Sequence, residues 1–235
     1  MEAMLLQGTA AERLLERYPV YKLFSVPVKQ RLLVRRVAAG EVIYSSDAPG
    51  SSLIFIAEGR AKTCVMHNNG VESLVSILDA GTIMGDMELV GEKSEEYIVK
   101  TMHECFTIEL PYVRDNDPIL ADVRFLRILC RILADKLHRN DIRFSALLSY
   151  PLKARFAAFV LNTQVHGIFR ERLTETAQHL GVSYRQMQRV VASLCRSGAL
   201  RRQAAGYAVA DARQLEKLGG AVVAFTKSEG FLRFL

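Results

Sequence analysis

The sequence predicts an α+β chain of three successive parts: an N-terminal β-roll, a long helix and a C-terminal winged helix-turn-helix. Three observations predict it. From Val26 to Pro111, short runs rich in β-branched residues alternate with turn residues. From Ile119 nothing breaks a helix until Pro151. The stretch LTETAQHLGVSYRQMQRVVASL, Leu173 to Leu194, then reads as two short helices joined by a tight turn. The expected boundaries are 1–115 for the roll, 116–149 for the helix and 150–235 for the last part with its tail.

In the first part the strand runs include 41–44, 52–56, 61–66, 71–78 and 97–101, and Gly40, Gly59, Gly81 and Gly85 punctuate the rest. Asn68-Asn69-Gly70 separates two of them, and Asn-Gly suits the type I′ turn of a hairpin. Several short strands at near-regular spacing argue for a sandwich or barrel.

In the second part Asp117 is placed to cap a helix and Pro118 fits its first position. About 30 residues at about 1.5 Å each make a rod near 45 Å long. Leu126, Leu129, Leu133, Leu137, Asn140, Phe144 and Leu147 recur at steps of three and four. Such a seam suits a parallel homodimer, with Asn140 fixing register. Ile128, Ile132 and Ile142 lie off the seam and are expected to pack on the roll.

In the third part Leu173, Ala177 and Leu180 share one face of the first short helix. Ala177 is small enough for a close helix crossing, and Gly181 can take the left-handed backbone of the turn. Ser183 with Gln186 fits a capping box. Met187, Val190, Val191 and Leu194 form the buried stripe of the second helix, which leaves Tyr184, Arg185, Gln188 and Arg189 facing outward. Arg185 and Arg189 are one turn apart and can enter one groove together. Ser183 adds a hydroxyl and a helix N-terminus for a phosphate. Arg201 and Arg202 stand on a hairpin-like segment turning near Ala205-Gly206, a candidate wing. These eight residues (Ser183, Tyr184, Arg185, Gln186, Gln188, Arg189, Arg201 and Arg202) are the candidate contacts to double-stranded DNA.

Charge supports that partner. Residues 150–235 carry 13 Lys and Arg against 5 Asp and Glu, a net of +8; residues 1–149 carry 18 against 20, a net of −2. The chain's total of +6 hides an acidic front and a basic back, and a basic end of this kind points to a polyanion. No apolar run reaches the roughly 18 residues that span a bilayer, and the N-terminus has no secretion signal, so the expected location is the cytoplasm. The four cysteines, Cys64, Cys105, Cys130 and Cys195, are scattered. They read as reduced thiols, the alternative being a redox or cluster site if folding joins Cys64 and Cys105. No metal ligation is expected. A cupin-type enzyme would want a His-x-His pair, which the five histidines do not supply, and HExxH, GxSxG and GxxxxGK[ST] are absent. The chain is therefore expected not to be an enzyme. A pure ligand-sensing, redox-sensing or partner-binding module is the other alternative, with the tail Gly219 to Leu235 expected to pack back on the DNA domain or to dock another protein.

The order of parts, with Gly40-Glu41-Val42-Ile43-Tyr44, Leu53 to Gly59, Gly81-Thr82-Ile83-Met84-Gly85-Asp86 and the segment around Gly181-Val182-Ser183, resembles the CRP/FNR family of bacterial transcription regulators from about Phe24 to Leu218. Arg124 to Cys130, Tyr150-Pro151-Leu152 and Leu180 to Arg185 look most like its YeiL-like branch. The resemblance implies a cyclic-nucleotide-binding-like jelly roll, a homodimer on palindromic operators and, for an activator, RNA polymerase as partner. In members that bind cyclic nucleotides, a Gly-Glu pair holds the ribose and a later Arg-Ser pair holds the cyclic phosphate. Gly85-Asp86 matches the first pair, but Glu96-Tyr97 stands where Arg-Ser is expected, with Glu95 before it. An anion in place of a cation reverses about 4 kcal/mol at about 4 Å and an effective dielectric of 20, so cAMP is not expected to bind in the family's usual way. The effector otherwise remains open at Gly85, Asp86, Glu96 and Tyr97. Residues 1–63 contain no cysteine, which departs from the members carrying an N-terminal iron-sulfur cluster. His67 and His103 fall in the roll and read as ordinary strand residues rather than haem ligands. The family's best-known base readers are Arg, Glu and Arg; the matching positions are Tyr184, Arg185 and Arg189, so only the last is kept.

Overall fold

The computed structural model describes residues 4–45, 51–66, 72–91, 97–113, 116–223 and 230–235. The chain forms two compact units, Met1–Asp135 with Ser228–Leu235, and Lys136–Lys227.

The strands of the first unit are, in chain order, β1 (Met4–Leu6), β2 (Leu33–Val37), β3 (Val42–Ser45), β4 (Ser51–Glu58), β5 (Arg60–Met66), β6 (Glu72–Asp79), β7 (Ile83–Met84), β8 (Tyr97–Thr101) and β9 (Cys105–Tyr112). Helix α1 (Thr9–Arg17) follows β1, and the short α2 (Asp86–Leu89) follows β7. One sheet has the order β1-β2-β9-β4-β7, the other β3-β8-β5-β6, and the pairings are antiparallel. All five expected strand runs are present. The expected hairpin turn Asn68-Asn69-Gly70 lies outside the described residues, while β5 and β6 on either side of it pair from Arg60↔Asp79 to Met66↔Glu72.

Two apolar layers hold this roll. Ile54, Ile56, Ala61, Met84 and Val99 fill one. Leu53, Phe55, Ile108 and Leu110 join Phe24, Leu89 and Phe125 in the other, where Phe24 and Phe125 stack at 4.2 Å. Side chains alternate across a strand, so β4 feeds both layers, and this is why its sequence is a continuous apolar run rather than an alternating one. The sequence signal misses β2 for the opposite reason. Its Arg35 and Arg36 break the pattern, yet each is neutralised in place: Arg35 by Glu109 at 3.0 Å and Arg36 by Glu104 at 2.6 Å.

The long helix starts later than expected. Asp117 does cap, accepting the Ile119 N–H at 3.2 Å with Pro118 behind it, but it opens only a 3-10 turn, Pro118–Ala121. Asp122 then caps again. One carboxylate oxygen accepts the Phe125 N–H at 3.1 Å, and the other accepts Ser25 N–H at 2.6 Å and Val26 N–H at 3.1 Å. Helix α3 proper runs Val123–Ser149. Phe125, Leu129 and Ile132 are buried in the roll's core, with Leu126, Ile128 and Leu133 packed against it.

The tail divides: Gly219 to Val223 end the last helix of the C-terminal unit and pack there, as expected, whereas residues 230–235 join the roll. Phe231 is buried in the roll's core, and Leu232 and Phe234 pack against the same layer. What makes this site available is Gly81, which turns the chain between β6 and β7 and leaves a carbonyl for the Phe231 N–H at 2.8 Å.

The second unit contains α4 (Leu152–Thr163), β10 (Ile168–Phe169), α5 (Leu173–His179), α6 (Tyr184–Arg196), β11 (Leu200–Gln203), β12 (Gly206–Val209) and α7 (Ala212–Val223). Its small sheet has the order β10-β12-β11. Phe169 meets the rings of Phe156 and Phe159 edge-on at 5.7 and 6.0 Å. Helices α4 and α7 cross closely at Gly219, where a β-carbon would come within 2.5 Å of the Ala158 nitrogen. Among the described residues no helix is long and apolar enough to cross a membrane.

Candidate nucleic-acid interface

The turn between α5 and α6 is built from backbone geometry first. Gly181 has φ 64°, in the left-handed region that glycine enters cheaply. The Val182 N–H returns to the Ala177 carbonyl at 2.9 Å and closes the end of α5. Ala177 is buried between the two helices, as its small size suggests. Arg155 on α4 fixes the turn from behind: its Nη1 donates to the Leu180 carbonyl at 2.7 Å and its Nε to the Tyr150 carbonyl at 3.1 Å. Burial draws the Arg155 guanidinium below its ordinary value, but arginine keeps its charge in proteins.

Ser183 and Gln186 form the expected capping box. The Ser183 hydroxyl accepts the Gln186 N–H at 3.3 Å, and the Gln186 carbonyl oxygen accepts the Ser183 N–H at 3.0 Å. The Ser183 hydroxyl also donates to that oxygen at 3.0 Å. Both side chains are thus engaged in starting the helix. What Gln186 retains for a ligand is its amide NH2, a donor.

Helix α6 then sorts its residues by face. Met187, Val191 and Leu194 are buried, Val190 is half-buried, and Tyr184, Arg185, Gln188 and Arg189 are exposed. Arg201 and Arg202 are exposed on β11, whose hairpin with β12 runs from Leu200↔Val209 to Gln203↔Gly206. Gly206 is required at the turn, because a β-carbon there would collide with the Phe169 carbonyl on β10. Arg170, Arg172 and Arg196 are exposed as well and were not singled out from the sequence. Arg196 lies two turns beyond Arg189 on the same stripe, a spacing that the sequence already contains. Arg170 and Arg172 precede α5 directly, where cations flanking a helix-turn-helix are the available signal.

Along α3 the exposed face differs from the expected seam. Leu129 is only 1 % exposed, and Leu126 and Leu133 are partly buried against the roll. The roll therefore takes the first half of that seam, because its own core needs an apolar cover there. Leu137, Asn140 and Phe144 are exposed as expected. The fully exposed stripe is Val123, Arg127, Cys130, Ala134, Leu137, Asp141, Phe144 and Leu148, at alternating steps of four and three. Leu137 and Phe144 are each 64 % exposed and Leu148 76 %. Large apolar side chains at that spacing on a helix are the pattern of a coiled-coil seam.

The candidate effector residues are placed as follows. Gly85 is left-handed at φ 79°, and a β-carbon would strike the Ser52 carbonyl on β4, so this glycine is needed by the backbone itself. Asp86 is buried in the first turn of α2 and Tyr97 opens β8, half-buried. Glu96, Glu95 and His67 lie outside the described residues. The four cysteines are free thiols. Cys64 and Cys105 sit in different sheets, so folding does not join them. Burial pushes the Cys105 thiol up to about 11, and its Sγ donates to the Arg60 carbonyl at 3.3 Å. Burial also raises Cys195, against the lowering effect of Arg202.

Known proteins resemble the chain in sequence and in fold. Residues 34–114 match the cyclic nucleotide-binding domain family. The chain is 33 % identical over 180 residues to the regulatory protein YeiL of Escherichia coli O157:H7, covering 77 % of this chain and 82 % of that one. Among solved structures it is similar in fold to a CRP/FNR-family transcriptional regulator from Thermus thermophilus, with TM-score 0.60 and 20 % identity over 84 % of this chain and 100 % of that one. FixK2 from Bradyrhizobium japonicum gives TM-score 0.60 and 17 % identity, over 79 % and 96 % of the two chains.

Proposed function

The chain belongs to the CRP/FNR family of transcription regulators, in its YeiL-like branch, and from that premise we propose that it binds palindromic operators as a homodimer, with α6 as the reading helix. The observation that carries this is the sorting of α6: an apolar face buried in its own unit, and Tyr184, Arg185, Gln188 and Arg189 presented outward behind a capped N-terminus. Reading helices of a two-fold dimer address half-sites about 34 Å apart, and the exposed stripe of α3 supplies a surface for the second copy. Arg189 suits a bidentate pair with guanine. Arg185 stands where the family's reading Glu accepts from cytosine, so the half-site differs there. Arg201 and Arg202 clamp phosphates and weaken all sequences alike when removed. The site of action is the cytoplasm, and RNA polymerase is a partner if the protein activates.

The test is selection of an operator from random duplexes, followed by Arg189→Ala. That variant is expected to lose about 1–3 kcal/mol and to relax one guanine position. Unchanged affinity for the selected operator would show that α6 does not enter the groove in this orientation.

We also propose that cAMP is not the signal. In the sequence Glu96-Tyr97, with Glu95 before it, stands where the family's Arg-Ser pair for the cyclic phosphate is expected. Calorimetric titration of the purified protein is expected to show no heat of saturable binding, and a micromolar dissociation constant would contradict this.

A further inference from the structure

The bend between α3 and α4 lies inside one compact unit, Lys136–Lys227, and two devices brace it there. Pro151 ends α3, because a proline disfavours the helical region for the residue before it. Helix ends leave carbonyls without partners in the helix, and one guanidinium serves two of them. Arg155 Nε donates to the Tyr150 carbonyl at the end of α3 at 3.1 Å, and its Nη1 donates to the Leu180 carbonyl at the end of α5 at 2.7 Å. The second device is α7. At its start, the Ala199 carbonyl beside β11 accepts the Ala210 and Asp211 N–H groups at 3.0 and 3.2 Å, and the Asp211 carboxylate accepts the Gln214 N–H at 3.0 Å. In its middle, Gly219 lets it lie directly on the backbone of α4 at Ala154 and Ala158. At its end, Val222 is buried with Ala146 of α3 and Ala158 of α4, and Tyr150 packs against them. Helix α7 therefore begins at the hairpin, passes over α4 and ends against α3.

We infer that α7 and Arg155 form a splint, with Val222 and Arg155 as positioning residues that hold α6 at one angle to α3 and so set the separation of half-sites that the protein accepts. This rests on the operator-binding homodimer proposed above. In such a dimer the spacing of the half-sites mirrors that of the reading helices. One inserted base pair turns a half-site away from its mate by about a tenth of a helical turn. A braced joint does not follow that rotation, whereas a loose one does. Val222 is buried and the Arg155 guanidinium is bonded inward, so neither reads bases, and the outward set on α6 is untouched when they are changed.

The experiment selects an operator for the full chain from random duplexes. Fluorescence anisotropy then compares three duplexes: the selected operator, the same with one base pair inserted between its halves, and a single half-site. The wild type is expected to prefer the selected spacing by about tenfold or more. Arg155→Met and Val222→Ala are expected to lose most of that preference while binding the single half-site as the wild type does. An unchanged preference in the folded variants overturns the splint, and so does a wild type indifferent to the insertion. Equal loss on the single half-site and the full operator marks a merely local role and overturns it as well. Spin labels on non-natural residues at Ser145 of α3 and Ala192 of α6, diluted with unlabelled protein, read the joint without DNA. A narrow distance distribution is expected in the wild type and a broader one in both variants. Equal widths overturn the splint, and should neither variant fold, a broad wild-type distribution does so. If no duplex is bound but the distances behave as stated, the proposed function falls and the brace stands.

Discussion

Arg155 fixes the turn between α5 and α6 from behind. Two carbonyls, Tyr150 and Leu180, are held by one guanidinium, so the entry to α4 and the exit from α5 are set by the same side chain. The sequence gives no hint of this, because a lone arginine in an apolar helix reads as a solvated charge. By contrast the capping box at Ser183, the left-handed Gly181 and the outward set on α6 are local features that follow from spacing alone, and the structure reproduces each. Asp122 shows the other limit. As a cap it is local, but its second oxygen binds N–H groups at Ser25 and Val26, almost a hundred positions away in the chain. Burial raises its carboxyl, while the N–H donors of Phe125, Val26 and Ser25 lower it further, so the folded value falls below the ordinary 3.8. A depressed carboxylate contributes its full stability above the unfolded value and loses it as pH falls through the folded one. The roll is thus expected to weaken below about pH 3.8, and Asp122→Asn to flatten that part of a thermal-melting profile. Asp117, held low against burial by Arg31 and by the Ile119 and Val113 N–H groups, supplies the rest of the slope. Glu109 runs the other way: burial raises it more than Arg35 lowers it, so protonating it favours the fold.

At the scale of the element, α3 carries a covered stretch and an exposed one on a single periodicity. The leucine steps were legible in the sequence, but which partner covers them was not, because apolar spacing does not say whether the cover comes from the same chain. The structure splits the set: Leu129 belongs to the roll, Leu137 and Phe144 to the open stripe. The two halves are expected to respond differently. Leu129→Ala should cost about 2–5 kcal/mol of stability, as truncating a buried leucine does, and calorimetry reads it. If the proposed dimer forms through this stripe, Leu137→Arg with Phe144→Glu should leave melting of the roll unchanged and give a monomer in sedimentation where the wild type gives a dimer. Cys130 offers an independent check, since a parallel pair in this register sets each copy's Cys130 opposite the other, and mild oxidation should give a covalent dimer. Absence of that cross-link, with the dimer intact, would place the interface on another face. The missed start of α3 has the same origin as the missed β2 and β9. Each depends on a partner distant in sequence: Asp122 on the loop at Ser25, Arg35 on Glu109.

At the scale of the molecule, charge divides as the chain does. The basic excess lies in residues 150–235, and the acidic balance in the remainder. Affinity for an arbitrary duplex is expected to fall steeply with salt. Arg201→Ala with Arg202→Ala should reduce the slope of log affinity against log salt by about 0.9 for each phosphate left unneutralised. A fluorescence-anisotropy series across salt concentrations measures it, and a slope unchanged by both substitutions would remove the wing from the DNA-facing surface. The three-part order was legible because each part has its own period: alternation, a heptad-like step, and a short pair of capped helices. The destination of residues 230–235 was not legible. Their aromatic residues announce burial, but nothing in their spacing names the surface that receives them.

The strand β4 is a party wall. Phe55 leans into the layer that grips α3, and Ile56, its immediate neighbour, into the layer between the sheets. Interiors packed as densely as crystals do not absorb a displaced side chain locally. A guest that wedges itself between the sheets must therefore push on the room next door, where the root of the long helix is lodged, and drift at either position during evolution has to be matched by its neighbour.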